Sequence, residues 1–529
     1  MTARFSWDFP YPSRRMPVLA GNVVATSQPL AAQAGVDALR RGGNAVDAAI
    51  ATAIALTVVE PTMNGIGGDA FAIIWDGRRL HGLNASGCSP RAWTPERFSG
   101  REVMPDSGWD SVTVPGGVSA WVELSRRFGK LPFGALFPEA VRYAKEGFSV
   151  PPITAAAWAR AHERFRDYPD FQRAFCPEGR APLPGEVFRF PEQEETLLLI
   201  AETSGEAFYR GALAERIAAA SRAGGGALTE EDLAAHEPFW VDPVSVGYRG
   251  YTLHEIPPNG QGIAALMALG MLAGEDMAGL PVDSADSLHR QVEGTKLALA
   301  YARRHVTDPR MAEADADALL DPDYLARRAS SIRMESAGDP HPGRPAGGDT
   351  VYLCTADDSG MMVSFIQSNY SGFGSGIVVP GTGISLQNRA SGFSLEEGHP
   401  NRVAGGKRPF HTIIPGFVTR EGAPVMSFGV MGGPMQAQGH VQMMVRLADH
   451  GQNPQAASDA PRWQWIGGRG LALEHGIAPD VAEELERRGH KVEYRDFTSF
   501  GGAQLIHRLE GGGFLAASDS RKDGQAAGY

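Results

Sequence analysis

The stretch Ala45–Val59, AVDAAIATAIALTVV, is apolar or small on almost every face of the helix it would form, and Gly42-Gly43 and Pro61 bound it. A helix without a polar face must be covered all round, so this chain needs a layered fold with the segment buried between other elements. It carries Asp47 and falls short of the roughly 20 residues that cross a bilayer. The run LAAQAGVDALRR before it reads as another helix, with Ser27 as the expected N-cap and Pro29 in the first turn. After it comes NGIGGDAFAIIWDG, where residues 64–68 read as a turn. AFAIIW and HGLNAS read as two short strands joined by a turn at 76–79.

The remainder is long enough to build the covering layers, since the chain has 529 residues, 43% of them hydrophobic. Its 49 Lys+Arg against 61 Asp+Glu leave a net charge of −12, which argues against a general binder of nucleic acid or anionic membrane. Cys88, Cys176 and Cys354 are too few and too scattered for a disulfide framework or a CxxC metal knuckle. The start, MTARFSWDFPYPSRRMPVLAG, lacks the apolar run of a secretory signal, so a cytoplasmic location is expected. The middle third reads as mostly helical, around 138–146, 195–201, 214–223 and 287–304. Residues 338–349, GDPHPGRPAGGD, then place four Gly and three Pro in twelve positions, the clearest break in the chain. Beyond it the pattern turns to β, with TVYLCTAD, a DDSG turn and MMVSFIQSN.

The familiar chemical signatures are missing. Gly65-Ile66-Gly67 with Ala70 mimics a dinucleotide fingerprint, but a helix precedes it and a strand follows, the reverse of the required context. Neither a P-loop nor HExxH is present, and Gly372-Phe373-Gly374-Ser375-Gly376 has Phe where a nucleophile elbow needs Ser. No metal-ligating cluster is evident among the 14 His, and no cofactor is expected. What stands out is Thr350, where the Gly/Pro linker meets a strand. If the peptide bond before it is cut, the freed α-amine, with a pKa of about 7.7–8.0, can act as base for its own hydroxyl. On spacing alone, a threonine that simply begins a strand is the plainer account.

A longer pattern bears on that choice. GGDTVYLCTADDSGMMVSFIQSNYSGFGSGIVVPGTGISLQNRASGF resembles the start of the small subunit in the gamma-glutamyltransferase family of N-terminal nucleophile hydrolases. VDAAIATAIALTVVEP, NGIGGDAF, VPGGVSAW, PPNGQGIAAL, KRPFHTIIPG, GVMGGP and ASDSRKDGQAAGY agree in order across nearly the whole chain. The resemblance implies an α/β, four-layer αββα sandwich made of two chains from one precursor, cut between Asp349 and Thr350. Residues 1–349 would form the large subunit and 350–529 the small one, which remain associated as a heterodimer that could itself dimerise. Thr350 is then the nucleophile, Ser368 the supporting hydroxyl, and Gly432 and Gly433 the oxyanion hole.

Where the transferases carry an asparagine near the active centre, this chain has Tyr370. The QNQMDDF-like run that holds an α-ammonium group is replaced by Gln387-Asn388-Arg389-Ala390-Ser391-Gly392-Phe393, with Gly392 at the acid's place and Arg389 at a glutamine's. Losing a carboxylate and gaining a guanidinium suits an anion better than an ammonium. The paired serines that bind the α-carboxylate are replaced by His411 and Thr412, while Arg91 fits the family's carboxylate-binding arginine. These departures resemble the amidohydrolase and acylase members, such as oxamate amidohydrolase and cephalosporin acylase, more than the transpeptidases. The expected activity is hydrolysis of an amide of a small carboxylic acid through a threonine acyl-enzyme, with substrate contacts from Arg91, Tyr370, Asn388, Arg389, His411 and Thr412. Two alternatives stand beside it: a gamma-glutamyltransferase or glutathione hydrolase, and an uncut, non-catalytic scaffold homologue.

Overall fold

The computed structural model describes residues 14–311, 316–340 and 349–529. Most of the Gly/Pro linker therefore lies outside the described residues. Fourteen strands build two large sheets. In chain order they are β1 (Val18–Ala20), β2 (Val23–Thr26), β3 (Asp69–Trp75), β4 (Leu80–Asn84), β5 (Phe239–Val241), β6 (Val244–Tyr248) and β7 (Tyr251–Glu255). They continue with β8 (Asp349–Ala356), β9 (Met362–Tyr370), β10 (Gly416–Arg420), β11 (Ala423–Met431), β12 (Gly502–Arg508), β13 (Phe514–Ser518) and β14 (Gln525–Gly528). One sheet runs β14-β2-β8-β9-β3-β4-β5 and the other β1-β13-β12-β11-β10-β7-β6, with antiparallel neighbours throughout.

The sheets face each other across a core that includes Val23, Phe71, Ile73, Tyr352, Ile366, Phe417 and Ile506. Helices α1 (Pro29–Arg40) and α2 (Ala45–Val59) cover the outer face of the first sheet. Helices α3 (Gly262–Leu272), α4 (Ala285–His305) and α5 (Met435–Met444) cover the second. This is the αββα order the resemblance implies. All fifteen residues of α2 are buried, as its lack of a polar face requires. Each buried Ile, Leu or Val there contributes roughly 1.5–3 kcal/mol. Its start is fixed by a capping box, in which Asn44 Oδ1 accepts from Asp47 N and Asp47 Oδ2 from Asn44 N, both at 3.0 Å.

The cap of α1 differs from expectation. Gln28, not Ser27, caps it, its Oε1 accepting from Leu30 N at 2.5 Å and Ala31 N at 3.1 Å. Ser27 instead donates its hydroxyl to Glu60, because the end of α2 lies beside it. The helices expected in the middle third are found at Pro138–Glu146, Pro191–Glu202, Ala212–Ala223 and Ala285–His305. No described helix is long and apolar enough to cross a membrane.

Candidate active site

Strand β8 begins the site. Its ladder with β9 pairs Asp349 with Tyr370 and Val351 with Gln367, so Thr350 stands opposite two residues, Ser368 and Asn369. Such a bulge re-aims side chains locally. Here it brings Thr350 Oγ1 to 3.1 Å from Ser368 Oγ, which also accepts from Tyr370 N at 2.7 Å. Thr350 is buried, at 1% exposure.

A third group reaches the same hydroxyl from a helix that covers the other sheet. Gln436, in the first turn of α5, donates Nε2–H to Thr350 Oγ1 at 3.3 Å. Its amide is oriented because Oε1 accepts from Ile414 N at 3.0 Å. The Gln436 backbone N–H bonds Gly433 O at 3.1 Å, so the Gly432-Gly433 turn lies one residue contact from Thr350. The turn has φ of +117° at Gly432 and +56° at Gly433. A Cβ on Gly432 would stand 3.1 Å from Gly501 Cα, so both conformation and space favour glycine. Gln261 Nε2 ties this turn to the next group, donating to Gly433 O at 2.9 Å and Thr412 O at 2.7 Å.

On the far side of Thr412 lies Arg389, wholly buried in the short helical turn Arg389–Gly392. Its Nη1 donates to Thr412 Oγ1 at 2.8 Å, and its Cζ lies 4.4 Å from the centre of the Tyr370 ring. Asn388 shapes the turn from below, accepting from Ser371 N at 3.1 Å and donating to Asp106 O at 2.7 Å. Beside Arg389, His411 Nε2 donates to Asp69 Oδ2 at 3.1 Å while its Nδ1 accepts from Ile413 N at 3.4 Å. Burial, with the Arg389 charge nearby, holds His411 well below its usual pKa and so neutral. Burial also pushes the Asp69 carboxyl up to about 7, although the charge of Arg389 and backbone N–H groups of Gly116 and Gly87 pull it the other way. Burial lowers Arg389 to about 10.

Thr350, Ser368, Tyr370, Asn388, Arg389, His411, Thr412, Gly432 and Gly433 are thus joined by direct contacts or through one bridging residue. Arg91 is not among them. Its side chain is exposed and lines a surface cleft with Cys88, His236, Arg310 and Arg408, and no hydrogen bond joins it to the Thr350 cluster among the described residues. Sequence reasoning assigned no role to Asp69, Gln261 or Gln436. Asp69 had a signal, a carboxylate opening an otherwise apolar strand; the two glutamines are set by a tertiary approach that spacing does not reveal.

A second polar cluster also escaped the sequence, in which no His-based ligand group was evident. His289, Glu293 and His490 converge with their ligand atoms within 4.8 Å of one another. Lys296 Nζ already pairs with Glu293 Oε1 at 2.7 Å, and His490 Nε2 meets His289 Nδ1 at 2.8 Å. His289 Nε2 donates to Arg333 O at 2.9 Å, and Glu293 Oε2 accepts from Gly338 N at 2.9 Å. The cluster is a self-satisfied network that anchors the segment leading into the linker.

Known proteins share this architecture. A cephalosporin acylase from Bacillus halodurans superposes with a TM-score of 0.95 at 50% identity, over 99% of both chains. The oxamate amidohydrolase proenzyme of Klebsiella pneumoniae is 39% identical over 94% of this chain and 97% of its own. The glutathione hydrolase-like YwrD proenzyme of Bacillus subtilis is 36% identical over 96% and 98%. The gamma-glutamyltranspeptidase family model matches residues 31–529, and with these relatives it establishes that the chain is a member of the gamma-glutamyltranspeptidase family of N-terminal nucleophile hydrolases.

Proposed function

We propose that this protein is a self-processing amidohydrolase that cuts an amide of a small carboxylic acid, oxamate-like or acylase-like, with Thr350 as nucleophile. The observation that carries the reading is the buried Thr350 hydroxyl at a strand start, held between Ser368 Oγ and Gln436 Nε2. Both partners come to the hydroxyl from outside its own strand, one from β9 and one from α5, which fixes its oxygen in place at the head of β8. The names of the relatives, an oxamate amidohydrolase proenzyme and a cephalosporin acylase, support both the processing and the substrate class.

Processing follows from the same hydroxyl. Thr350 Oγ attacks the carbonyl carbon of Asp349, the C–N bond breaks, and the acyl group passes to oxygen as its proton passes to nitrogen. Water then hydrolyses the ester, giving chains 1–349 and 350–529 and a free α-amine on Thr350. In turnover this amine takes the hydroxyl proton as Oγ attacks the substrate amide, and gives it to the departing amine. Backbone N–H groups of Gly432 and Gly433 receive the oxyanion, and water releases the acid and restores the hydroxyl.

The test is intact-mass analysis of purified protein with N-terminal sequencing of the smaller chain. Two chains, the smaller beginning at Thr350, together with hydrolysis of oxamate or a glutaryl amide are expected. A single uncut chain overturns the reading in favour of a scaffold, and turnover of glutathione in preference to these amides overturns the substrate class.

A further inference from the structure

Among the described residues, Arg389 is a buried charge with two unpartnered nitrogens. Its side chain is wholly buried, yet Nε and Nη2 have no hydrogen-bond partner among the described residues; only Nη1 is engaged, by Thr412. Leaving buried charged donors unpaired is costly, because their water hydrogen bonds are lost and not replaced. A guanidinium held at one nitrogen and stacked on a ring cannot swing away to find solvent. Thr412 and Tyr370 impose those two restraints. Nε–H and one N–H of Nη2 lie on one edge of the planar group, parallel to each other, the arrangement that receives both oxygens of a carboxylate.

The residue that stacks on the guanidinium is itself tied to the nucleophile. Tyr370, under the guanidinium, gives its backbone N–H to Ser368 Oγ, which touches Thr350 Oγ1. The opposite charge has been removed as well as replaced. A Cβ on Gly392 would lie 2.6 Å from the carbonyl oxygen of Phe410, so no side chain fits where the transferases carry their acid. The carboxylate nearest in function, Asp69, is committed to His411 Nε2 and Gly116 N.

We infer that the Nε–Nη2 edge of Arg389 binds a carboxylate of the substrate, and that the enzyme is built for acids without an α-ammonium group. This rests on the amidohydrolase reading for the meaning of the site, but it concerns binding and is testable without turnover. A lysine could supply the charge but not the two parallel donors.

The test is calorimetric titration of the processed protein with oxalate, succinate and glutarate, and with glutamate and succinamide as controls. Wild type should bind at least one of the three diacids, glutarate more tightly than glutamate, and succinate more tightly than succinamide. Arg389→Met should weaken the best diacid about 100-fold and Arg389→Lys by less, since one bidentate charge-assisted contact is lost or halved. Thr412→Val, which frees Nη1 and leaves Arg389 in place, should weaken it about tenfold, and serves if Arg389→Met fails to fold. Binding of glutamate equal to or tighter than glutarate, failure of all three diacids to bind, or diacid binding unchanged in both Arg389→Lys and Thr412→Val overturns the inference. Failure of the amidohydrolase reading is seen separately, as an uncut chain by mass.

Discussion

The hydroxyls of Thr350 and Ser368 meet at 3.1 Å across a bulge in which Thr350 faces two residues of β9. A regular ladder would put one partner opposite Thr350. The extra residue lets Ser368 address the hydroxyl while its oxygen also caps Tyr370 N. Ser368→Ala should therefore slow processing about tenfold, the effect of one lost hydrogen bond of roughly 1–1.5 kcal/mol, without unfolding the protein. The rate at which the full-length band disappears on denaturing gels measures this. Thr350→Ala should stay uncut, and cutting of that variant would assign cleavage to another protease.

The turn at Gly432 gives a sharper test of the oxyanion hole. Gly432→Ala places a Cβ on a residue with φ of +117°, 3.1 Å from Gly501 Cα, and the turn must shift. Losing one aligned donor typically costs roughly 10²–10³ in kcat. Steady-state kinetics on the best amide substrate should show that loss in kcat more than in KM.

Asp69 predicts a pH dependence of stability. Its folded-state pKa is raised from 3.8 to about 7 by burial, so between these values the native state holds a proton that the unfolded chain has lost. Its contribution is greatest below pH 4 and declines as the pH rises toward 7. Thermal melts of wild type and Asp69→Asn should show the difference between the two changing across that window, and a constant difference would contradict it.

The His289–His490 pair predicts the opposite slope. Burial lowers His490 from 6.5 to about 3, the positive charge of Lys296 adding to the effect. Below pH 6.5 the unfolded chain takes up a proton that the native network refuses, so stability is lost as the pH falls from 6.5 toward 3. His490→Gln should flatten that limb in melts recorded between pH 4 and 7.

The C-terminal motif ASDSRKDG has a structural task. Asp519 accepts from Arg462 Nη2 at 2.6 Å, Arg521 Nη1 at 3.1 Å and Ala503 N at 2.6 Å, all buried. Asp519→Ala removes the carboxylate partner of the buried Arg462, while Arg521 keeps Glu474, and should cost about 3–5 kcal/mol, measured by urea unfolding.

The layered fold was legible because α2 has no polar face, and the strands were legible from their turns and apolar runs. The site was legible in part. Thr350 stood out by its place after the linker, and Arg389 by charge reversal within a recognisable run. Arg91 lies apart from the cluster, because the irregular segment between β4 and its turn carries it to the surface, a path that motif alone does not reveal. Gln261 and Gln436 act through amides brought together from distant turns, and His289 and His490 are 201 positions apart. Such pairs are created by packing, and local pattern carries no trace of them.

Strand β8, which begins at Asp349, lies between β2 and β9, while β14 from the far end of the chain closes on β2. A nick at the head of β8 would thus divide the covalent chain without creating a seam. Each fragment would supply strands to both sheets, so dilution alone should not part them. Separately made fragments would have to thread together while still unfolded, and a mature molecule taken apart by denaturant would have lost the connection that first guided its assembly.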